Sequence, residues 1–506
     1  ADEAIKLYKS AIKINSSFWE AYRNIGVVLR DQGKLDEAIL ICQRGLQMWP
    51  ENANLRSEII SLSKIMCDFS IENMLEQYRE ILGVCTDAVP PQSALSWEDS
   101  PERQLERSRR WSLEVCNENL LPPAPKPLIK PRRLKIGYLS ADFKVHPVAY
   151  LISRVFELHD RNKFEILGYS ISSVEKSGKR KSIIKSFDKF KDLNLLSDGD
   201  AANEIRKDKV DILIDLTGYT RFSRPNILSY RVAPMQVNYL GFPSSMGVNY
   251  IDYIVADPVV VPVESREYYR ESFIYLPNSY QPTDDTREIA ETATSRADFG
   301  LPDDAFVFCS FNSAFKISSR EFDIWMRLLT KVKGSVLWLL FDNKWASENL
   351  FKEAAARGID KSRIIFASRL SQAEHLARHK HADLFLDCFN YNAHTTASDA
   401  LWAGLPVVTK KGEQFSARVA ASVLTAIDLP ELITETEEGY ESLVLALATD
   451  VKLLSVIKLK LAKNRLKEPL FDTKKYTETF ELALLKAYNL YFHDHALNDI
   501  WAEEII

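Results

Sequence analysis

The chain has no cysteine pair at metal or redox spacing, no glycine-rich nucleotide fingerprint, no excess of positive charge and no apolar run long enough to cross a bilayer. Each absence excludes a class. The six cysteines, Cys42, Cys67, Cys85, Cys116, Cys309 and Cys388, are scattered, several within apolar runs where a small buried thiol is ordinary, so a reducing cytoplasmic compartment is expected. Lys and Arg number 65 against 70 Asp and Glu, a net charge of −5, which argues against wrapping nucleic acid or lying on an anionic membrane. The longest apolar runs, such as Val336–Phe341, are strand-sized, and the first residues lack an apolar signal segment. Neither Gly-x-x-x-x-Gly-Lys-Ser/Thr nor Gly-x-Gly-x-x-Gly occurs, which removes the main support for a motor-type NTPase or a simple dehydrogenase. Histidine is also scarce, at eight, and that scarcity makes the placement of each one informative.

The 506 residues, 46% of them apolar, suffice for about three domains with large cores. The first is a repeat. Ala4, Tyr8 and Ala11 recur 34 positions later as Ala38, Cys42 and Gly45, and Tyr22, Ile25, Gly26, Leu29 and Pro50 complete a pattern that resembles a tetratricopeptide repeat. Residues 1–60 are read as a partial array that opens midway through a repeat, with further repeats expected upstream, and 61–130 as a helical bridge. The proline cluster Leu121–Pro127 closes this region. From Leu134 short apolar runs alternate with amphipathic stretches, which predicts strands at Leu134–Leu139, Phe164–Tyr169, Val210–Leu216, Met235–Leu240, Tyr250–Val255 and Phe273–Leu276. After a polar linker, 286–298, the alternation restarts with Phe306–Ser310, Val336–Leu340, Ile364–Phe366, Leu384–Leu386 and Val407–Thr409. The expected fold is α/β: two Rossmann-like lobes, 131–285 and 299–506, facing a cleft, the second carrying a helical tail, and both preceded by α-helical repeats.

In open parallel sheets ligands gather beyond the carboxyl ends of strands. The distinctive polar residues fall there. His146 follows the first strand, Thr217–Thr220 the third, Lys316 the seventh, His375 the ninth and His394 the tenth of those predicted. The window Asn392–Asp399 follows an apolar run and opens a helix, whose free N–H groups and dipole suit a phosphate. Thr395 and Thr396 add hydroxyl donors, and Asp399 lies one turn on, placed to meet sugar hydroxyls. Taken alone, this window reads more readily as Thr395 or Thr396 capping the helix, with His394 a loop residue. Lys316 can neutralise a diphosphate, or it is a surface lysine. His146 is a nitrogen base at the cleft edge, or a satisfied structural histidine. His375 and His379 share a helix face, but the glutamate of His-Glu-x-x-His is missing and no third ligand is evident, so no metal is expected; His375 and Arg378 are read instead as lining a base pocket.

The order of Ser140–Pro147, Gly218–Thr220, Arg231–Pro243, Phe311–Lys316, Asn392–Thr396, Leu401–Pro406 and Arg418–Ser422 resembles the O-linked N-acetylglucosamine transferase family over about residues 134–490, with tetratricopeptide repeats in the expected upstream place. The resemblance implies a GT-B pair of lobes. It also implies an inverting transfer of N-acetylglucosamine from UDP-GlcNAc to Ser or Thr hydroxyls of proteins, with no cofactor beyond the UDP-sugar co-substrate and no essential metal. Lys316 looks like the lysine on the diphosphate, His394, Thr395 and Thr396 like its helix-terminal cradle, Asp399 like the ribose ligand, and His375 and Arg378 like uracil-pocket residues. Thr220, Pro243 and Leu370 fall at further donor contacts. His146 matches the histidine beside the acceptor hydroxyl, where either it or a donor phosphate is the base. Protein or peptide acceptors are expected at the repeats and the cleft; no nucleic acid or membrane partner is expected, and the oligomeric state is left open. Three positions depart from the animal enzymes: Phe315 replaces a tyrosine, Ser313 a glutamine and Gln372 a lysine. The short linker resembles bacterial members. Retention of His394, which is threonine in plant-type relatives that use GDP-fucose, favours UDP-GlcNAc. The alternatives are another donor, GDP-fucose or UDP-glucose, or a weakly catalytic repeat scaffold that binds nucleotide.

Overall fold

The computed structural model describes residues 2–116, 126, 129–173 and 175–503. The proline cluster therefore lies, apart from Lys126, outside the described residues. Helices Asp2–Ile14, Trp19–Asp31, Leu35–Met48 and Ala53–Ile65 form the N-terminal region. Small residues set their spacing: a Cβ on Gly26 would stand 2.4 Å from Cys42 Sγ, and one on Gly45 would press on Leu55 and Tyr22 at 3.0–3.1 Å. The helices approach closely because these positions carry no side chain. Helix Ala53–Ile65 is buried almost throughout. Its outer face meets the second lobe: the Lys64 ammonium donates to the Ile317 carbonyl at 3.2 Å, and Asn343 and Asn349 donate to the carbonyls of Ile65 and Met66, each at 2.9 Å. The repeat region is thereby docked rather than tethered.

The first lobe is a parallel sheet of β1 (Leu134–Ser140), β2 (Phe164–Ser170), β3 (Lys189–Asp192), β4 (Ile212–Asp215), β5 (Met235–Asn238), β6 (Tyr253–Ala256), β7 (Ser272–Tyr275) and a late strand, β14 (Ile500–Trp501). Their order is β14-β7-β6-β5-β4-β1-β2-β3. The second sheet holds β8 (Val307–Ser310), β9 (Val336–Leu340), β10 (Ile364–Ala367), β11 (Leu384–Leu386), β12 (Val407–Lys410) and β13 (Ile433–Thr434), ordered β10-β9-β8-β11-β12-β13. Every pairing is parallel, and the central strands are buried on both faces, which is why they read as short continuous apolar runs. In each sheet the strand order reverses once at a central pair, β1/β4 in the first and β8/β11 in the second. A crevice forms at such a switch point because the flanking connections leave to opposite sides.

The end of the tail departs from the expected assignment to the second lobe, while helices Glu437–Thr449 and Val451–Asn464 pack on that lobe. Helix Thr473–Phe492 crosses back to the first: Tyr476 donates to the Tyr280 carbonyl at 2.6 Å, Tyr488 to Asp211 at 3.1 Å, and Glu481 meets His159 at 2.8 Å. His159 in turn contacts the Tyr138 hydroxyl at 2.7 Å, so a buried polar chain fastens the helix to β1. β14 then pairs with β7 as the edge of the first sheet. Strand β3, Lys-Phe-Lys-Asp, forms the other edge and was not among the expected strands, because its charged, half-exposed residues carry no apolar run.

Candidate functional site

Both switch points are organised by an aspartate at or just after the end of a strand. In the first lobe Asp215 closes β4 and accepts the N–H groups of Thr217 and Gly218 at 3.0 and 2.9 Å, while Thr217 Oγ1 accepts the N–H of Ala141 beyond β1. In the second lobe Asp387 follows β11. Its Oδ1 accepts the N–H groups of Cys388 and Ala393 at 2.7 and 2.6 Å, and its Oδ2 takes the Thr409 hydroxyl at 2.7 Å. Burial pushes each carboxyl up to about 6 against these donors. Asp387 thus ties down both ends of the loop 388–393, and the sequence offered no signal for that role.

At the end of that loop stands His394, at the N-terminus of helix Thr395–Trp402 with φ −100° and ψ −89°, and neither threonine caps the helix. Its Nε2 lies 3.1 Å from the Ser416 carbonyl, which places the ring proton on Nε2, and its ring stacks obliquely on Tyr391 at 4.8 Å. Burial, together with Lys316 nearby, holds this imidazole neutral. Thr396 donates to Asn312 Oδ1 at 2.6 Å, bridging to the loop after β8, and Thr395 presents the first turn of the helix with its hydroxyl and N–H.

Lys316 closes the short turn Ala314–Lys316 after β8. Its ammonium donates to the Asn392 carbonyl at 2.8 Å and lies 4.1 Å from the centre of the Tyr391 ring. It forms no ion pair with the described carboxylates, and burial lowers it to about 8, with Cys388 and Asp387 opposing. A cation held in place by a carbonyl and a ring face, at the mouth of a helix N-terminus, is prepared for an anionic ligand. The helical bridge supports the turn from behind, where Cys67 Sγ approaches the Ala314 carbonyl at 3.4 Å.

One turn further along the helix, Asp399 is buried. Arg287 Nη1 contacts its Oδ1 at 2.5 Å, Gln372 Nε2 lies 3.4 and 3.5 Å from its two oxygens, and His375 Nε2 is 3.9 Å from Oδ2. Arg378 Nη2 donates to His375 Nδ1 at 2.6 Å, so Nε2 carries the proton that faces Asp399. Burial depresses His375 to about 2. Arg378 itself is 1% exposed, packed 4.4 Å from the Phe311 ring centre and donating to the Ser368 carbonyl, so it reaches the site through His375. His379 Nδ1 is spent on the His375 carbonyl at 2.8 Å. Among the described residues no group of three or more His, Cys, Asp or Glu side chains could hold a metal ion. Leu370, 38% exposed, sits on the loop between β10 and the helix that carries His375.

Across the cleft, His146 caps helix Pro147–Leu158. Its Nδ1 accepts the Val148 N–H at 3.3 Å, which leaves the ring proton on Nε2, and Asp142 Oδ2 lies 3.5 Å from the same Nδ1. To act as a base the ring must exchange this cap for the other tautomer, in which Nδ1 donates to Asp142 and Nε2 is left with a lone pair for a hydroxyl proton. Burial lowers this imidazole, with Asp142 opposing, and its side chain remains 37% exposed. Thr220 donates to the Thr217 carbonyl at 2.9 Å, and Pro243 is buried in the loop after β5, beside Gly241, where a Cβ would stand 2.0 Å from the Leu216 carbonyl. The loops after β4 and β5 thus pack directly against each other beside the first lobe's switch point. The lobes are joined directly, by Arg418 on the Val259 carbonyl at 2.7 Å and Ser422 on Asp257 at 2.7 Å.

The model of Glycosyl transferase family 41 matches residues 123–292 and 283–480, more than half of the chain. A probable UDP-N-acetylglucosamine–peptide N-acetylglucosaminyltransferase, SEC, of Arabidopsis thaliana is 32% identical over 459 residues, covering 88% of this chain and 46% of the relative. The UDP-N-acetylglucosamine–peptide N-acetylglucosaminyltransferase of Caenorhabditis elegans is 29% identical over 472 residues, covering 71% and 41%. The chain spans less than half the length of these two relatives. Among solved structures, a mutant of the Thermobaculum terrenum O-GlcNAc transferase superposes with a TM-score of 0.77 over 97% of this chain and 94% of that one, at 24% identity.

Proposed function

The chain belongs to glycosyl transferase family 41, and we propose that it transfers N-acetylglucosamine from UDP-GlcNAc to Ser or Thr hydroxyls of protein acceptors. The observation that carries this reading is the Lys316 ammonium, held beside the N-terminus of helix Thr395–Trp402 with no carboxylate paired to it. When the sugar–phosphate bond breaks, negative charge accumulates on the departing diphosphate. Lys316, the first N–H groups of the helix and the Thr395 hydroxyl supply fixed positive potential at that point, while the Thr396 hydroxyl, given to Asn312 Oδ1, would have to turn to join them. Asp399 accepts from the ribose hydroxyls, and the pocket beside His375 takes the base. His394 is neutral and its one ring proton faces the Ser416 carbonyl, so it brings the diphosphate no charge and serves to fix the loop that leads into the helix. On the opposite wall His146 meets the acceptor hydroxyl, which loses its proton as it attacks the anomeric carbon from the face opposite the diphosphate. Charge stabilisation by these groups leaves no step that calls for a resident metal, and transfer is expected to survive chelation by EDTA.

Protein acceptors are expected to enter along the repeats, since the bridge that follows them is docked on the lobe that carries Lys316. The names of the relatives from Arabidopsis and Caenorhabditis describe the same donor and a peptide acceptor, which supports the choice. The test is transfer of labelled sugar to a panel of Ser/Thr peptides from UDP-GlcNAc, UDP-glucose and GDP-fucose in parallel. Incorporation from UDP-GlcNAc at more than about tenfold the rate of the other two is the expected result, a margin of roughly 1.4 kcal/mol. Faster transfer from either other donor would reassign the substrate, and none from any of the three would remove the proposal.

A further inference from the structure

The segment joining the lobes carries a residue that belongs to the donor site. Arg287 lies in the linker, yet its side chain is only 4% exposed. Besides the contact with Asp399, its Nε donates to the Asp284 carbonyl at 2.9 Å, its guanidinium lies 5.5 Å from the centre of the Trp402 ring, and Trp402 Nε1 donates to the Arg287 carbonyl at 3.1 Å. The linker is also stitched to the helix carrying His375, through the Ala290 N–H on the Ala373 carbonyl at 3.1 Å. These contacts leave the guanidinium no freedom to swing away. Its remaining nitrogen, Nη2, is buried without a partner.

The other polar neighbours of Asp399 are neutral. Gln372 carries no charge, and His375 is depressed far below neutrality by burial. Burial raises the Asp399 carboxyl, and Arg287 is the first of the groups that oppose it. A buried carboxylate with no cation would protonate or turn away, and would then accept fewer hydrogen bonds. Resting on the reading of Asp399 as the ribose ligand, we propose that Arg287 is a positioning residue for donor recognition: it holds the Asp399 carboxylate in place as the acceptor for the ribose hydroxyls of a nucleoside diphosphate.

The test compares binding of UDP with 2′,3′-dideoxy-UDP by calorimetry on the whole chain. The unmodified protein is expected to prefer UDP by on the order of tenfold to a hundredfold, the usual range for hydrogen bonds to a charged group. Arg287→Met should bring that ratio to within about threefold and leave dideoxy-UDP binding nearly unchanged, and Arg287→Lys should retain most of the preference. Asp399→Asn should abolish the ratio, and adding Arg287→Met to it should change nothing further. If Arg287→Met does not fold, Arg287→Gln is read by the same outcomes. A preserved ratio without the guanidinium, or equal loss of both ligands, would overturn the inference and leave the nucleotide site intact. Failure of the unmodified chain to bind UDP would overturn the nucleotide reading itself, and this inference with it.

Discussion

The two lobes share one architecture and use it for opposite electrostatic ends. Each places its functional loops where strand order reverses, and each organises them with a buried aspartate beyond a central strand, Asp215 in one and Asp387 in the other. From there they diverge. The first lobe presents an imidazole, partly exposed and adjacent to the carboxylate of Asp142, a pair suited to exchanging a proton. The second presents a buried ammonium with no carboxylate partner at the mouth of a helix, a site suited to holding an anion. The fold dictates where chemistry can happen; a few side chains beyond the strands decide which chemistry it is.

Removing the charge from the second lobe should have the largest effect. Lys316→Ala is expected to lower kcat/KM by on the order of a thousandfold and to weaken UDP binding, measured by steady-state kinetics and calorimetry. His146→Ala should separate the lobes: transfer falls by roughly a hundredfold, a typical loss for a general base, while the Kd for UDP stays within about twofold. If His146→Ala weakens UDP as much as Lys316→Ala does, the division of labour is wrong.

A smaller, graded effect follows from pH. Lys316 in the free protein is lowered to about 8, so part of it is uncharged at that pH, and a diphosphate binds the charged form. UDP affinity should therefore decline as pH rises through about 8, by up to tenfold per unit, with net proton uptake on binding seen as a dependence of the calorimetric enthalpy on buffer ionisation. Flat affinity from pH 7 to 9.5 would mean that the lysine is not in contact with the ligand. The smallest expected change is in Asp142→Asn, which keeps the shape at His146 and removes the charge that favours the Nδ1–H tautomer. A fall in kcat of about tenfold, with KM for the donor unchanged, is the predicted result.

The strands buried on both faces, such as β9 and β11, are legible in the sequence, because a strand covered by helices on each side needs apolar residues at every position and shows as a short continuous run. The edge strands β3, β13 and β14 are not legible there, because their residues are charged or few. In the site, the window Asn392–Asp399 and the Lys316 turn stood out because their polar residues follow apolar runs directly. Arg287 did not, since its partner Asp399 is 112 positions away and its own neighbourhood reads as a polar connector. The same holds for Lys64 and Cys67, which touch the Lys316 turn across 253 and 247 residues. The lobe that takes the last helix, Thr473–Phe492, is hidden for a similar reason: its amphipathic pattern says that one face is buried, not against which sheet.

The central claim is that the anion site of the second lobe drives glycosyl transfer from UDP-GlcNAc. It is tested most directly by incubating the unmodified protein and Lys316→Ala, both confirmed folded, with labelled UDP-GlcNAc and a Ser/Thr peptide, and following sugar incorporation by mass. Transfer by the unmodified protein, reduced about a thousandfold in Lys316→Ala, is the predicted result. Equal incorporation by the two proteins, or none by either, would contradict it.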